Sequence, residues 1–274
     1  MSTEERRPAS EDLTSCCADM YSSDLATLLL GDSFHPGGLE LTHRLAEMLE
    51  LDPGARVLDV ASGRGGSAIV LAEQFGCEVV GVDVSATNVD LATAFAVDAG
   101  VAERVHFVIG EASHLDVPSG SFDAVLCECA LCTFANQPGA VSEFARVLRP
   151  GGRVGLSDVT RQGILPPELE SLLSRIACIA GAIPVAEYAR MLETERFAVM
   201  DVEPHDEALR ELIERIQQRI FGAQLLTRLK QLDLPGVDLD QASLVARSAV
   251  SAVGDGRLGY MLLVAQAPAT GTNL

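Results

Sequence analysis

Apolar residues recur along the chain in two rhythms, and the rhythm changes at Arg56. Ahead of it, residues 25–30 and 39–51 carry apolar side chains at the three-to-four spacing of an amphipathic helix. Between them lies Gly31-Asp32-Ser33-Phe34-His35-Pro36-Gly37-Gly38, a loop by its glycine and proline content. Beyond Arg56, short β-rich runs alternate with helical stretches. Strands are expected at 57–60, 78–84, 105–109, 122–127 and 153–157, and helices at 67–75, 88–99 and 138–148. Past Asp158 helices dominate, at 167–180, 185–195 and 206–232, with two late strands at 197–203 and 259–265.

Strand-helix alternation of this kind predicts an α/β fold: a Rossmann-like, doubly wound, mainly parallel sheet with helices on both faces and a helical C-terminal insertion. One elaborated domain is expected. Residues 1–44 would form an N-terminal cap or arm and 45–160 the ligand-binding core. Residues 161–274 would supply the strands that complete the sheet and a helical substrate lid.

Charge and cysteine content narrow the partners. The 274 residues hold 39 acidic side chains against 20 basic ones, a formal net charge of -19, and Lys230 is the single lysine. Such a chain repels phosphate backbones and anionic membrane surfaces, so neither nucleic acid nor membrane is an expected partner. The longest apolar stretch, 176–186, is interrupted by Pro184 and falls short of the ~18 residues a spanning helix needs. Met1 to Ser10 carries charge without an apolar run behind it, unlike a secretory signal. A cytoplasmic protein is expected, and its seven cysteines are then thiols for packing, metal binding or chemistry.

The sharpest motif is Val57-Leu58-Asp59-Val60-Ala61-Ser62-Gly63-Arg64-Gly65-Gly66, where the first expected strand meets a helix. Gly63, Gly65 and Ala68 also satisfy the dinucleotide pattern G-x-G-x-x-A, with Asp83 20 residues after Gly63. Asp59 argues against a diphosphate, because it sets a carboxylate beside the loop. Glu111 and Glu128 extend the acidity along the strand ends, which suits a cationic ligand. S-adenosylmethionine carries an ammonium and a sulfonium. An alternative role for Asp59 and Asp83 is that of loop caps.

From about residue 40 to 160 the chain resembles class I S-adenosylmethionine-dependent methyltransferases. The segments that carry the likeness are 57–66, Val80-Gly81-Val82-Asp83-Val84-Ser85, Gly110-Glu111-Ala112, Ser121-Phe122-Asp123-Ala124-Val125 and Arg146-Val147-Leu148-Arg149-Pro150-Gly151-Gly152-Arg153. The resemblance implies that Gly63 and Gly65 face the methionine part of the cofactor and that Asp59 orients the loop and the ammonium. Asp83 would take the ribose hydroxyls, and Glu111 and Ala112 would border the adenine. Cys127 and Glu128 would border the methyl-donor end, with Ser62 and Val84 completing the cofactor-facing set.

The remaining cysteines refine the resemblance. Cys127-Glu128-Cys129-Ala130-Leu131-Cys132 follows the fourth expected strand, and if the extended backbone continues, Cys127 and Cys129 share a face. Cys178 falls in the helix expected at 167–180. A cysteine after the fourth strand and another beyond a Ser-Asp-Val segment resemble the arsenite methyltransferases, over roughly residues 40–205. By that likeness Cys129 and Cys178 hold trivalent arsenic, a soft centre that selects sulfur. Cys132, Cys16 or Cys17 would be the third thiol. Cys132 adds to the family pattern, and Glu128 stands where relatives often have Asn. Methyl transfer to a small thiol, selenium compound or other small molecule is the alternative, with His35 or Glu128 orienting the acceptor. A non-catalytic thiol-based metalloid or redox sensor is the other.

Overall fold

The computed structural model describes residues 35–171, 178–231, 234 and 237–269. Its centre is a seven-stranded sheet in the order β3-β2-β1-β4-β5-β7-β6. The strands are β1 (Arg56–Val60), β2 (Glu78–Asp83), β3 (Val105–Ile109), β4 (Phe122–Glu128), β5 (Leu148–Arg161), β6 (Ala198–Pro204) and β7 (Leu258–Gln266). β1 pairs in parallel with both β2 and β4, and β4 with β5. β7 runs antiparallel between β5 and β6. This is the doubly wound, mainly parallel α/β sheet that the strand-helix alternation predicts.

The central strands read as near-continuous apolar runs because both faces are covered. In β7 every residue but Gln266 is buried. The helices are α1 (Gly38–Met48), α2 (Gly66–Gln74), α3 (Ala86–Asp98), α4 (Gln137–Val147), α5 (Val185–Thr194), α6 (Asp206–Arg228) and α7 (Leu239–Gly254). α1 lies so close to β5 that a side chain at Gly155 would meet Leu45 and Leu49 at 3.2 and 2.9 Å. That contact sets the N-terminal helix over the central strands, where Thr42 is buried beside the strand ends.

Three elements differ from the sequence reading. β5 begins at Leu148 and ends at Arg161, well beyond 153–157. Its register slips against β4 between Phe122 and Ala124, which accommodates Pro150, Gly151 and Gly152. It then pairs with β7 from Arg153↔Gln266 to Arg161↔Leu258, so its end is set by a strand distant in sequence. α7 was not foreseen: its buried face is mostly alanine, at Ala242, Ala246, Ala249 and Ala252, and carries little periodic contrast. The helix expected at 167–180 begins instead as a 3-10 turn, Pro167–Glu170, and Cys178 sits in a turn with φ +61°, not in a helix. Residues 172–177 lie outside the described residues, as do Cys16, Cys17, Phe34 and the helix expected at 25–30.

Candidate active site

Strand order reverses between β1 and β4, and a crevice opens there at the carboxyl ends of the strands, as doubly wound sheets dictate. It encloses about 750 Å³. Asp59, Ser62, Gly63, Asp83, Val84, Glu111, Ala112, Glu128, Cys129 and His35 all line it. Cys127 does not: it is fully buried beneath, and its thiol is pushed up chiefly by burial. Gly65 caps α2 at φ +81°, and a side chain there would collide with the Phe107 ring. Only glycine permits both the backbone angle and the close approach.

Each carboxylate in the crevice has a different environment. Asp83 accepts from the Gly63 N–H at 2.8 Å, the Ser85 N–H at 2.9 Å and the Asn88 side-chain amide at 3.2 Å. It therefore ties the glycine loop to β2. Glu128 accepts from Ser67 Oγ at 2.5 Å and from Thr42 Oγ1 at 3.1 and 3.2 Å. Glu111 accepts from Ser113 Oγ at 2.6 Å. Asp59 is 2% exposed, and its Oδ2 has no hydrogen-bond partner. Burial, then the charges of Glu128 and Asp83, push its carboxyl well above the usual range. An unsatisfied buried carboxylate is costly until a donor reaches it, so this wall suits a ligand carrying a positive charge.

Behind the crevice lies a thiol cluster. β4 ends at Glu128, and Cys129 enters the left-handed region at φ +51°, with its N–H donating to Ser157 O at 2.6 Å. The extended run therefore stops before Cys129. The turn re-aims its side chain, so that Cys129 lines the crevice while Cys127 stays in the core. Cys178 is also left-handed, and its Sγ donates to Cys129 O at 3.1 Å. Two adjacent non-glycine residues in this region are a local strain of the kind stored at functional sites. Gly181 makes the approach possible, because a side chain there would collide with the Cys132 carbonyl oxygen.

Cys129 Sγ, Cys178 Sγ and a carboxylate oxygen of Asp158 all lie within 4.8 Å of one another. The Cys129 and Cys132 thiols each hydrogen-bond with Cys178. Cys132 contacts Cys178 O through its sulfur at 3.6 Å. The Cys129 thiol is raised first by its bond to Cys178 and then by burial, and the Cys132 thiol first by burial. Cys77 is buried, away from the cluster. Asp158 is fully buried on β5 and was not singled out from the sequence. The signal was there: a carboxylate in the middle of Val154-Gly155-Leu156-Ser157-Asp158-Val159 sits where burial is expensive. Thr42 and Ser67, which hold Glu128, left no such trace.

Residues 58–156 match the model of a methyltransferase domain. An arsenite methyltransferase of Halobacterium salinarum is 31% identical over 189 residues, 68% of this chain and 48% of that protein. The chain belongs to the class I S-adenosylmethionine-dependent methyltransferases. It spans about half the length of the Halobacterium relative. The 27-O-demethylrifamycin SV methyltransferase of Amycolatopsis mediterranei matches more of the chain. It is 28% identical over 261 residues, 90% of this chain and 94% of that one. Among solved methyltransferase structures, phosphoethanolamine N-methyltransferase 2 of Haemonchus contortus superposes with a TM-score of 0.77 at 20% identity, covering 96% of this chain and 61% of that one. In the class I sheet this crevice is the strand-end site between β1 and β4, with the thiol cluster at its β4 end. No helix among the described residues is long and apolar enough to cross a membrane.

Proposed function

We propose that the protein transfers the methyl group of S-adenosylmethionine to trivalent arsenic held by the thiols of Cys129 and Cys178. One observation carries the acceptor: two strained cysteines and a buried carboxylate converge within 4.8 Å, and one of them, Cys129, lines the crevice. When bound, the cofactor supplies an electrophilic methyl carbon on a cationic sulfur. Asp59 supplies the orphan oxygen that an ammonium would satisfy. Asp83 keeps the glycine loop shaped, and its Oδ2, with one hydrogen bond, has acceptor capacity left for a ribose hydroxyl. Ser62, Gly63 and Val84 form the cradle, Gly65 turns the loop behind it into α2, and Glu111 and Ala112 form the far wall.

The elevated thiols fit a neutral acceptor. Arsenite arrives as As(OH)3. Two S–H groups exchange for two As–O bonds, each proton leaving with hydroxide as water, so no base is required and two As–S bonds form. The arsenic keeps its lone pair, and fixing it beside the donor end makes the transfer near-unimolecular. Cys132, in contact with Cys178, is the reserve thiol. The chemistry requires reduced thiols, which fits a cytoplasmic setting. Arsenite methylation is expected to fall at least 100-fold in Cys129→Ser and in Cys178→Ser, with cofactor affinity retained. Full activity in both variants ends the proposal.

A second reading rests on the end-to-end match to the Amycolatopsis relative. In it the acceptor is an oxygen on a larger small molecule, oriented by His35 or Glu128, and about 750 Å³ is ample for a ligand of that size. Release of S-adenosylhomocysteine across a panel of arsenite, selenite, thiols, amines and hydroxylated compounds separates the two. Metalloid binding without turnover of any acceptor would instead mark a sensor.

A further inference from the structure

Bound arsenic of two As–S bonds has a third substituent, and the cluster has a third corner. That corner is Asp158. Its Oδ2 accepts from the Cys132 N–H at 2.9 Å and its Oδ1 from the Val159 N–H at 2.9 Å. The two backbone donors fix the plane of the carboxylate, and each oxygen keeps acceptor capacity. Asp158 is 0% exposed, and no salt bridge joins it to a cation among the described residues. The Cys132 sulfur does not belong to the set that shares the 4.8 Å separation, so an oxygen rather than a third sulfur completes the triangle.

We infer that Asp158 is a specificity-determining residue that accepts a hydrogen bond from the third substituent of the bound metalloid, so that the site selects a hydroxyl over a methyl at that position. The inference rests on the arsenic reading above and deepens it. A trivalent centre is pyramidal, so with two corners taken by sulfur its third bond is directed toward the remaining corner of the pocket. Arsenite retains one hydroxyl there after losing two as water. Methylarsonous acid, CH3As(OH)2, loses both of its hydroxyls to the thiols and turns a methyl group to the carboxylate. A site that offers a buried acceptor to a hydroxyl discriminates against an analogue lacking it, because a methyl set against the carboxylate forms no hydrogen bond and shuts out any other donor from the acceptor capacity its existing donors leave open. Transfer uses the arsenic lone pair and leaves a pentavalent, cationic methylarsenic on the two sulfurs. Two waters then cleave both As–S bonds, releasing methylarsonic acid and a proton and restoring both thiols. The protein therefore adds one methyl group per arsenic and disfavours the trivalent methylated acid as an acceptor.

Steady-state release of S-adenosylhomocysteine tests this, with arsenite and with methylarsonous acid as acceptors, for the wild type and for Asp158→Leu, which is similar in size and apolar. The wild type is expected to show kcat/KM at least tenfold higher for arsenite. Asp158→Leu is expected to lose at least tenfold on arsenite and less than threefold on methylarsonous acid, bringing the ratio near one. Equal use of both acceptors by the wild type overturns the inference, whether or not the variant folds. So does a folded variant that keeps the preference. Turnover of neither acceptor by wild-type protein that binds the cofactor is a different outcome, and it removes the arsenic reading itself.

Discussion

Asp158 shows how much one buried side chain can ask of its surroundings. Its carboxyl is pushed from 3.8 to about 7, mainly by burial and then by the neighbouring Cys178, while the Cys132 thiol and the backbone N–H groups of Cys132 and Val159 pull the other way as hydrogen-bond donors. The folded protein thus holds this proton more tightly than the unfolded chain does. The associated stability is complete below about pH 4 and is lost as the pH rises through about 7. Three pH units correspond to something on the order of 4 kcal/mol. Denaturant unfolding at intervals from pH 4 to 8 should show wild-type stability falling with pH more steeply than that of Asp158→Leu. Asp59 acts in the same direction and remains in the variant, so a residual slope is expected. Identical slopes would mean that Asp158 does not titrate in this range.

The elements divide by how they bury their surface. β1, β2 and β4 could be read from sequence to within a residue or so, because covered parallel strands are near-continuous apolar runs, whereas β3, at the exposed sheet edge, was legible from its β-branched Val105, Val108 and Ile109. α2 and α3 followed from the same alternation. α7 escaped because alanine and serine give weak amphipathic contrast, and its start is marked instead by Asp238. That carboxylate accepts from the Asp240 N–H at 3.1 Å and the Gln241 N–H at 2.9 Å, closing the helix end. Asp238→Ala should cost about 1 kcal/mol. In a chain of this size that is a drop of roughly 2–4 °C in a thermal melt. An unchanged melting temperature would show that α7 is held by its packing on α6 alone.

Across the whole molecule, the antiparallel strand β7 is what ties the late chain to the parallel core. It pairs with nine residues of β5, and the Tyr260 hydroxyl donates to Ser157 Oγ at 2.8 Å between two buried side chains. Tyr260→Phe leaves the Ser157 oxygen without this partner and should cost about 1–3 kcal/mol. Cofactor affinity, set on β1 and β2, should stay within twofold by titration calorimetry. A parallel loss of affinity would show that the two halves of the sheet are coupled. The net charge of -19 also acquires a location at this scale. Asp59, Asp83, Glu111 and Glu128 gather around one crevice. Other acidic side chains lie on exposed helix faces, such as Glu207 and Glu214, which share the single cation Arg210.

Local pattern alone determined the α/β sheet, the glycine loop and the acidic character of the strand ends, because each is written in adjacent residues: short apolar runs between helical stretches, the glycine spacing of a turn, and the acid that follows a strand. The pairing of Cys129 with Cys178 could be suspected from resemblance, but its corner at Asp158 could not. Those residues come from the turn that follows β4, from β5 and from a turn beyond it. What joins them is two left-handed backbone turns and the register of neighbouring strands, which no local pattern encodes. The same holds for Glu128. Its role in the crevice depends on Thr42 and Ser67, brought to it by two helices from opposite sides of β1 in the sequence. Tertiary packing alone decided which carboxylate was left with an unsatisfied oxygen, because desolvation depends on everything that surrounds a group rather than on its neighbours along the chain.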